Sequence, residues 1–255
     1  MPIQRRVHEG IAEVLVDLPP VNALKVEDWF FLADQITELG RDPEIRALIL
    51  TAAGRGFNAG VDIKEMQTTP GFRALLNANR GCFAAFKAVY ECEVPVIAAV
   101  HNYCLGGGMG LVGNADIILA GTGTEFGLPE VDRGALGAAT HLARLVPPHK
   151  LRAMVYTATT VSAEELQRYG SVYQVVPEDE LMGAAWELAR EIAEKSPKVI
   201  RAAKQCLNGI DPVDVNRSYR FEQGFTFELN LDGVADEARQ AFVEGRQAEF
   251  GEDDG

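Results

Sequence analysis

The chain of 255 residues is 47% hydrophobic and carries 24 basic against 37 acidic side chains, a net charge of −13. That length and apolar content support one substantial core with a modest appendage, while so acidic a surface repels a polyphosphate backbone and argues against a nucleic-acid partner. Met1 to Arg6 holds no apolar signal core, and nowhere do about 18 uncharged apolar residues run together, so a cytoplasmic protein with no membrane partner is expected.

In chain order, Ile11 to Leu18 alternates as a strand, and Val26 to Gly40 carries Trp29, Phe30, Ala33, Ile36 and Leu39 at helical spacing. Arg46 to Thr51 (RALILT) is nearly all apolar, as a strand buried on both faces must be; Pro95 to Val100 and Ala115 to Ala120 repeat that character. Between them, Gly71 to Glu91 reads as a long helix. Buried strand, loop and helix recurring in this way predict an α/β core with crossover connections. Beyond residue 137 helical patterns dominate: Ala138 to Leu145, Leu151 to Thr157, Ala163 to Tyr169, Leu181 to Lys195, Val199 to Leu207, Val215 to Leu231 and Ala235 to Phe250, with one strand at Val172 to Val176. We divide the chain into a core, 1–195, and a C-terminal helical region, 196–255, that ends on the solvated acidic tail Glu252, Asp253, Asp254.

Three loops carry the residues suited to chemistry. Gly54 to Met66 (GRGFNAGVDIKEM) follows a buried strand, and its glycines let the backbone turn sharply and present free N–H groups. Leu105 to Gly110 places consecutive glycines at the start of an apolar helix, where the helix dipole favours an anion or oxyanion. Neither the GxGxxG spacing of dinucleotide sites nor the GK[ST] ending of a P-loop is present. In Phe126 to Val131, Glu130 follows a rigid proline in an apolar setting, which should raise its pKa toward the range useful to a general acid or base. The cysteines, Cys82, Cys92, Cys104 and Cys206, have no CxxC spacing and suit reduced thiols. His8, His101 and His149 lack metal-ligand spacing, so no metal is expected.

In order and spacing these loops resemble the signatures of the crotonase, or enoyl-CoA hydratase/isomerase, superfamily: GxGFxAGxDIKEM, a GGG helix start, then FGxPE. The likeness extends through Val161 to Glu165 and ends at Phe242 to Phe250, so it spans almost the whole chain. It implies an α/β fold, a crotonase-like spiral of ββα units with a C-terminal helical trimerisation region, assembled as a homotrimer or homohexamer. It also implies an acyl-CoA substrate, with no cofactor beyond the CoA moiety. By the same resemblance, backbone N–H groups of Val61 and Gly107 form an oxyanion hole, Val61, Asp62, Ile63 and Lys64 meet the adenine portion of CoA, and Glu130 is a catalytic carboxylate.

Two departures narrow the activity. Hydratases of the family carry a first glutamate two residues after GGG, where this chain has Gly110. Addition of water to an alkene benefits from two carboxylates, so a one-base reaction fits better. His141 stands where hydratases usually have glutamine, and is a candidate acid, base or water positioner. Asn79 to Phe86, Phe126 to Leu145 and Glu222 to Leu231 are similar to a branch of the family that hydrolytically opens a ring of a bicyclic dione carboxyl-CoA thioester in late steroid breakdown. The alternatives are an isomerase or hydratase of fatty enoyl-CoA and a non-catalytic CoA-ester binding protein.

Overall fold

The computed structural model describes residues 2–68 and 72–250. Gly71, expected to begin the long helix, and the acidic tail Glu252 to Asp254 lie outside the described residues. One sheet is built from β1 (Ile3–His8), β2 (Ile11–Val16), β3 (Ala47–Ala52), β4 (Val96–Val100), β6 (Ile117–Gly121) and, from further along the chain, β9 (Gln174–Val176), hydrogen-bonded in that order. Only β1 runs antiparallel to its neighbour; β2, β3, β4, β6 and β9 pair in parallel.

Parallel strands need crossovers, and the crossovers are helices whose apolar stripes were visible in the sequence. Here α1 (Val26–Arg41) joins β2 to β3, and α3 (Phe72–Tyr90) lies between β3 and β4. Buried on both faces, β3 sends Leu48 and Leu50 into the core shared with α1 and α3, and Ala47 and Ile49 to the opposite side against Leu181, Ala185 and Ala189 of α8 (Leu181–Ala193). Its unbroken apolar run has that cause.

A second, three-stranded sheet went unforeseen. β5 (Tyr103–Leu105) pairs in parallel with β7 (Glu125–Gly127), and β8 (Thr160–Ser162) adds antiparallel to β7. Strands of three residues leave too short a pattern to read, since register here is set by neighbours rather than by alternation. The short α4 (Gly107–Val112) follows β5.

The remaining helices are α2 (Ile63–Thr68), α5 (Ala139–Leu142), α6 (Pro148–Thr157), α7 (Ala163–Tyr169), α9 (Pro197–Ile210), α10 (Val215–Leu231) and α11 (Val234–Glu244). The last stops at Gly245, left-handed at φ 68°, rather than running to Phe250 as its apolar spacing suggested. The division drawn at 195 falls in the link between α8 and α9.

Partly buried ionic and polar pairs dock α9 on the core. Lys204 is 4% exposed and reaches both carboxylate oxygens of Asp116 at 2.7 and 2.8 Å, while Tyr90 and Asn208 exchange hydrogen bonds. Lys204→Met is expected to cost about 2 kcal/mol, because Asp116 loses its buried cation but keeps the Val96 N–H bond; the shift in urea midpoint measures it. Among the described residues no helix is long and apolar enough to cross a membrane.

Candidate active site

The parallel pairing of β5 with β7 determines the site. Leu105 lies opposite Gly127, so the chain leaving each strand, Gly106 on one side and Leu128 to Glu130 on the other, emerges side by side. Gly106 adopts φ 58° and ψ −124°, a conformation open in practice to glycine alone, and a Cβ there would stand 2.7 Å from Glu130 Oε1. Pro129 opens a short 3-10 turn, residues Pro129–Arg133, that presents Glu130 inward and closes at Gly134, left-handed at φ 66°. A Cβ on Gly134 would meet the Ala235 backbone at 2.5 Å, so α11 packs directly on the turn that carries Glu130.

The first glycine loop meets the second through backbone alone. Gly60, at φ 90°, lies so close that a Cβ on it would be 3.0 Å from the Gly107 nitrogen. Leu24 N–H donates to Gly60 C=O and Leu24 C=O accepts from Asp62 N–H, both at 2.9 Å, which turns the Val61 N–H away from Leu24. Neither the Val61 nor the Gly107 N–H donates to another described residue. Two unspent donors on loops in backbone contact, that of Gly107 at the start of α4, suit an oxygen on which negative charge develops.

Two asparagines that the sequence reading passed over hold this loop. Asn58 Oδ1 accepts from Gly60 N–H at 2.8 Å, and its Nδ2 donates to Asn22 C=O. Asn22 in turn donates from Nδ2 to Ala53 and Gly56 C=O and accepts from Leu18 N–H. An asparagine after a Pro-Pro-Val turn was the available signal, since asparagine tolerates the left-handed backbone it adopts here, φ 55°. Asp62 is spent as the cap of α2, accepting from Lys64 and Glu65 N–H; Lys64 is exposed, and Val61 and Ile63 are half-buried.

Glu130 is a carboxyl group with one oxygen, Oε2, buried and unpartnered. Burial raises its pKa to about 7; the Glu222 carboxylate adds to the rise, while Arg133 opposes it. A carboxyl titrating there is matched to proton transfer near neutrality. Cys82 of α3 and Tyr219 of α10 lie near enough to feel the same charge, and burial pushes both up.

The place of the missing first glutamate is filled. A Cβ on Gly110 would lie 2.2 Å from the Phe86 ring. Phe86 is wedged edge-on against Trp29 at 5.6 Å and His141 at 5.0 Å and tilts over Tyr219 at 5.2 Å, so it cannot swing aside cheaply. Gly110 is therefore where an aromatic wall passes the α4 backbone.

His141 belongs to that wall. It is 1% exposed, its Nδ1 has no partner, and burial followed by the charge of Arg144 lowers its pKa to about 3. The imidazole is thus neutral throughout the working range. A depressed histidine favours the fold above the unfolded value of 6.5 and loses that contribution as pH falls toward 3. His141→Phe should flatten the loss of stability in this window and keep turnover within about tenfold, since the ring packing is conserved; thermal melts and initial rates across pH test both.

Residues 6–253 match the enoyl-CoA hydratase/isomerase family, and the chain belongs to it. It is 64% identical over 244 residues to a Mycobacterium tuberculosis protein named (7aS)-7a-methyl-1,5-dioxo-2,3,5,6,7,7a-hexahydro-1H-indene-carboxyl-CoA hydrolase, covering 95% of this chain and 99% of that protein. A Rhodococcus jostii protein of the same name is 62% identical over 236 residues, 92% of each chain. Among solved structures, an enoyl-CoA hydratase/isomerase from Pseudoalteromonas atlantica superposes with a TM-score of 0.87 over 98% of this chain and 100% of its own, at 24% identity, which establishes the shared crotonase fold.

Proposed function

We propose that this chain is an enzyme that hydrolytically opens a ring of a bicyclic indene-dione carboxyl-CoA thioester, the activity named for its relatives from Mycobacterium and Rhodococcus. The observation that carries this reading is the Glu130 carboxyl, one oxygen buried and unpartnered, packed against Gly106 next to the loop with two unspent N–H groups, while Phe86 excludes a second acid at position 110.

In this reading the thioester oxygen rests on the Val61 and Gly107 N–H groups. Glu130 takes a proton from water as its oxygen adds to the ring ketone. The neighbouring ring C–C bond then breaks, its electron pair passes through the conjugated alkene into the thioester, and the charge settles as a dienolate on the oxygen held by the two donors. Glu130 returns the proton to carbon, so one water is consumed and a carboxylic acid appears, which ionises by releasing its remaining proton to solvent. Each donor is worth on the order of 100-fold in rate. A linear enoyl-CoA hydration would have to manage with one acid.

The test is mass spectrometry of the product formed in oxygen-labelled water. One labelled oxygen in the new carboxylate is expected; rapid isomerisation of a linear β,γ-unsaturated acyl-CoA with no turnover of the dione would overturn the assignment. The acyl-CoA handle is assigned to the loop carrying Val61 to Lys64. We further propose a homotrimer or a hexamer of two trimers, supported by large exposed apolar side chains on the C-terminal helices, Leu207, Ile210, Phe221, Phe225 and Leu231. Sedimentation should return three or six times the monomer mass, and a monomer would refute it.

A further inference from the structure

One turn of α10 grips the backbone behind Glu130. Thr226 Oγ1 accepts from Leu136 N–H at 3.1 Å and donates to Leu136 C=O at 3.0 Å. Glu222 accepts from Ala139 N–H at 2.8 Å, Thr140 N–H at 3.0 Å and the Thr140 hydroxyl at 2.8 Å. Between these anchors lies Gly137, where a Cβ would stand 2.4 Å from Glu130 Cδ. The segment 136–140 is therefore the wall against which the Glu130 carboxyl rests, and α10 holds it at both ends. Gln223 ties the same turn of α10 to α3 by donating to Asn79 C=O at 2.9 Å, and α3 carries Cys82 beside Glu130.

We propose that Glu222 is a positioning residue, which acts through the backbone of 136–140 to hold the Glu130 carboxyl in line with the N–H pair of Val61 and Gly107. The inference rests on the ring-opening reading. Three donors converge on Glu222, and a carboxylate can satisfy all three with two oxygens, whereas an amide offers one oxygen and turns an NH2 toward a donor. Glu222 is 8% exposed, so its replacement cannot be made good by bulk water. The ionisable groups facing Glu130 are Arg133 on its own turn, Cys82 on α3, and Tyr219 and Glu222 on α10. Removing the Glu222 charge takes away one of the causes that raise Glu130.

The experiment compares wild type with Glu222→Gln. A kcat lower by about 10- to 100-fold is expected, as for a displaced reactive group, with KM for the thioester within about threefold. The Glu130 carboxyl, followed by carbon NMR, should titrate at lower pH than in wild type because the Glu222 charge is gone; the fall in kcat at constant KM is what a purely structural role would not produce. Folded E222Q with wild-type kcat overturns the proposal, wherever the midpoint falls. If E222Q does not fold, Thr140→Val decides: it removes one of the three bonds without changing a charge. A kcat lower by about 3- to 10-fold at constant KM supports the proposal, and an unchanged kcat overturns it. Wild type inert toward the bicyclic thioester defeats the ring-opening reading instead; the NMR midpoint in E222Q still reports whether Glu222 acts on Glu130.

Discussion

Glu130→Gln is expected to abolish ring opening to within a residual rate about 100- to 10,000-fold below wild type, the range typical of losing a positioned general base or acid. The amide keeps the shape of the side chain, so thioester binding should persist, and equilibrium dialysis with a non-hydrolysable CoA ester checks this. In wild type, kcat/KM should rise with pH and level off above about 7, where the buried carboxyl has ionised.

Stability should move the opposite way. The unfolded Glu130 ionises near its ordinary value of 4.5, but the folded one holds its proton to about 7. Ionisation therefore favours the unfolded chain progressively across that window, with a cost of at most about 3 kcal/mol above it, at 1.36 kcal/mol per unit. Glu130→Gln lacks this penalty. It should melt higher than wild type at about pH 8 and together with it at about pH 4. Equal melting temperatures at both values would show that the carboxyl is well solvated and would remove the basis for a raised pKa. A variant that is inactive yet more stable is the expected signature of a group held at a cost for function.

Gly110→Glu is expected to destabilise the chain on the order of 5 kcal/mol rather than to create a hydratase. The new Cβ would sit 2.2 Å from the Phe86 Cε2 and Cζ atoms, and Phe86 is held by Trp29, His141 and Tyr219. Overpacking of a rigid core adds to the burial of an unpaired carboxylate, and together they approach the whole stability of a domain. Phe86→Ala opens the volume that a glutamate side chain at position 110 would need, so the double variant should recover much of the loss. Chemical denaturation of the two singles and the double gives the coupling; independent effects would mean that the two positions do not compete for space. A stable G110E would show that Phe86 moves freely and that the absent acid has no steric cause.

Much of the architecture was legible one element at a time. RALILT announced a doubly buried strand because both faces of β3 are covered, by α1 and α3 on one side and by α8 on the other. Helices of ten or more residues showed their stripes, and α10 falls at Val215–Leu231 as its spacing indicated. The strands β5, β7 and β8, three residues each, left no comparable trace, although their pairing is what sets Gly106 beside Glu130. The histidine at 141 drew notice by its chemistry. Its surroundings, two aromatic rings and no partner for Nδ1, come from α3 and α10, far away in the chain.

Residue type and local spacing were enough to mark the two glycine-rich loops with their free N–H groups, the single acid after Pro129, and the lack of an acid at position 110. What that acid feels, and what replaces its missing companion, came only with the packed fold. The depth of burial of Glu130, the Phe86 ring against Gly110, and the grip of Glu222 on Ala139 and Thr140 all join residues more than 20 positions apart. Desolvation and steric exclusion are properties of the packed interior, and the order of residues along the chain does not contain them until the helices have closed over the sheet.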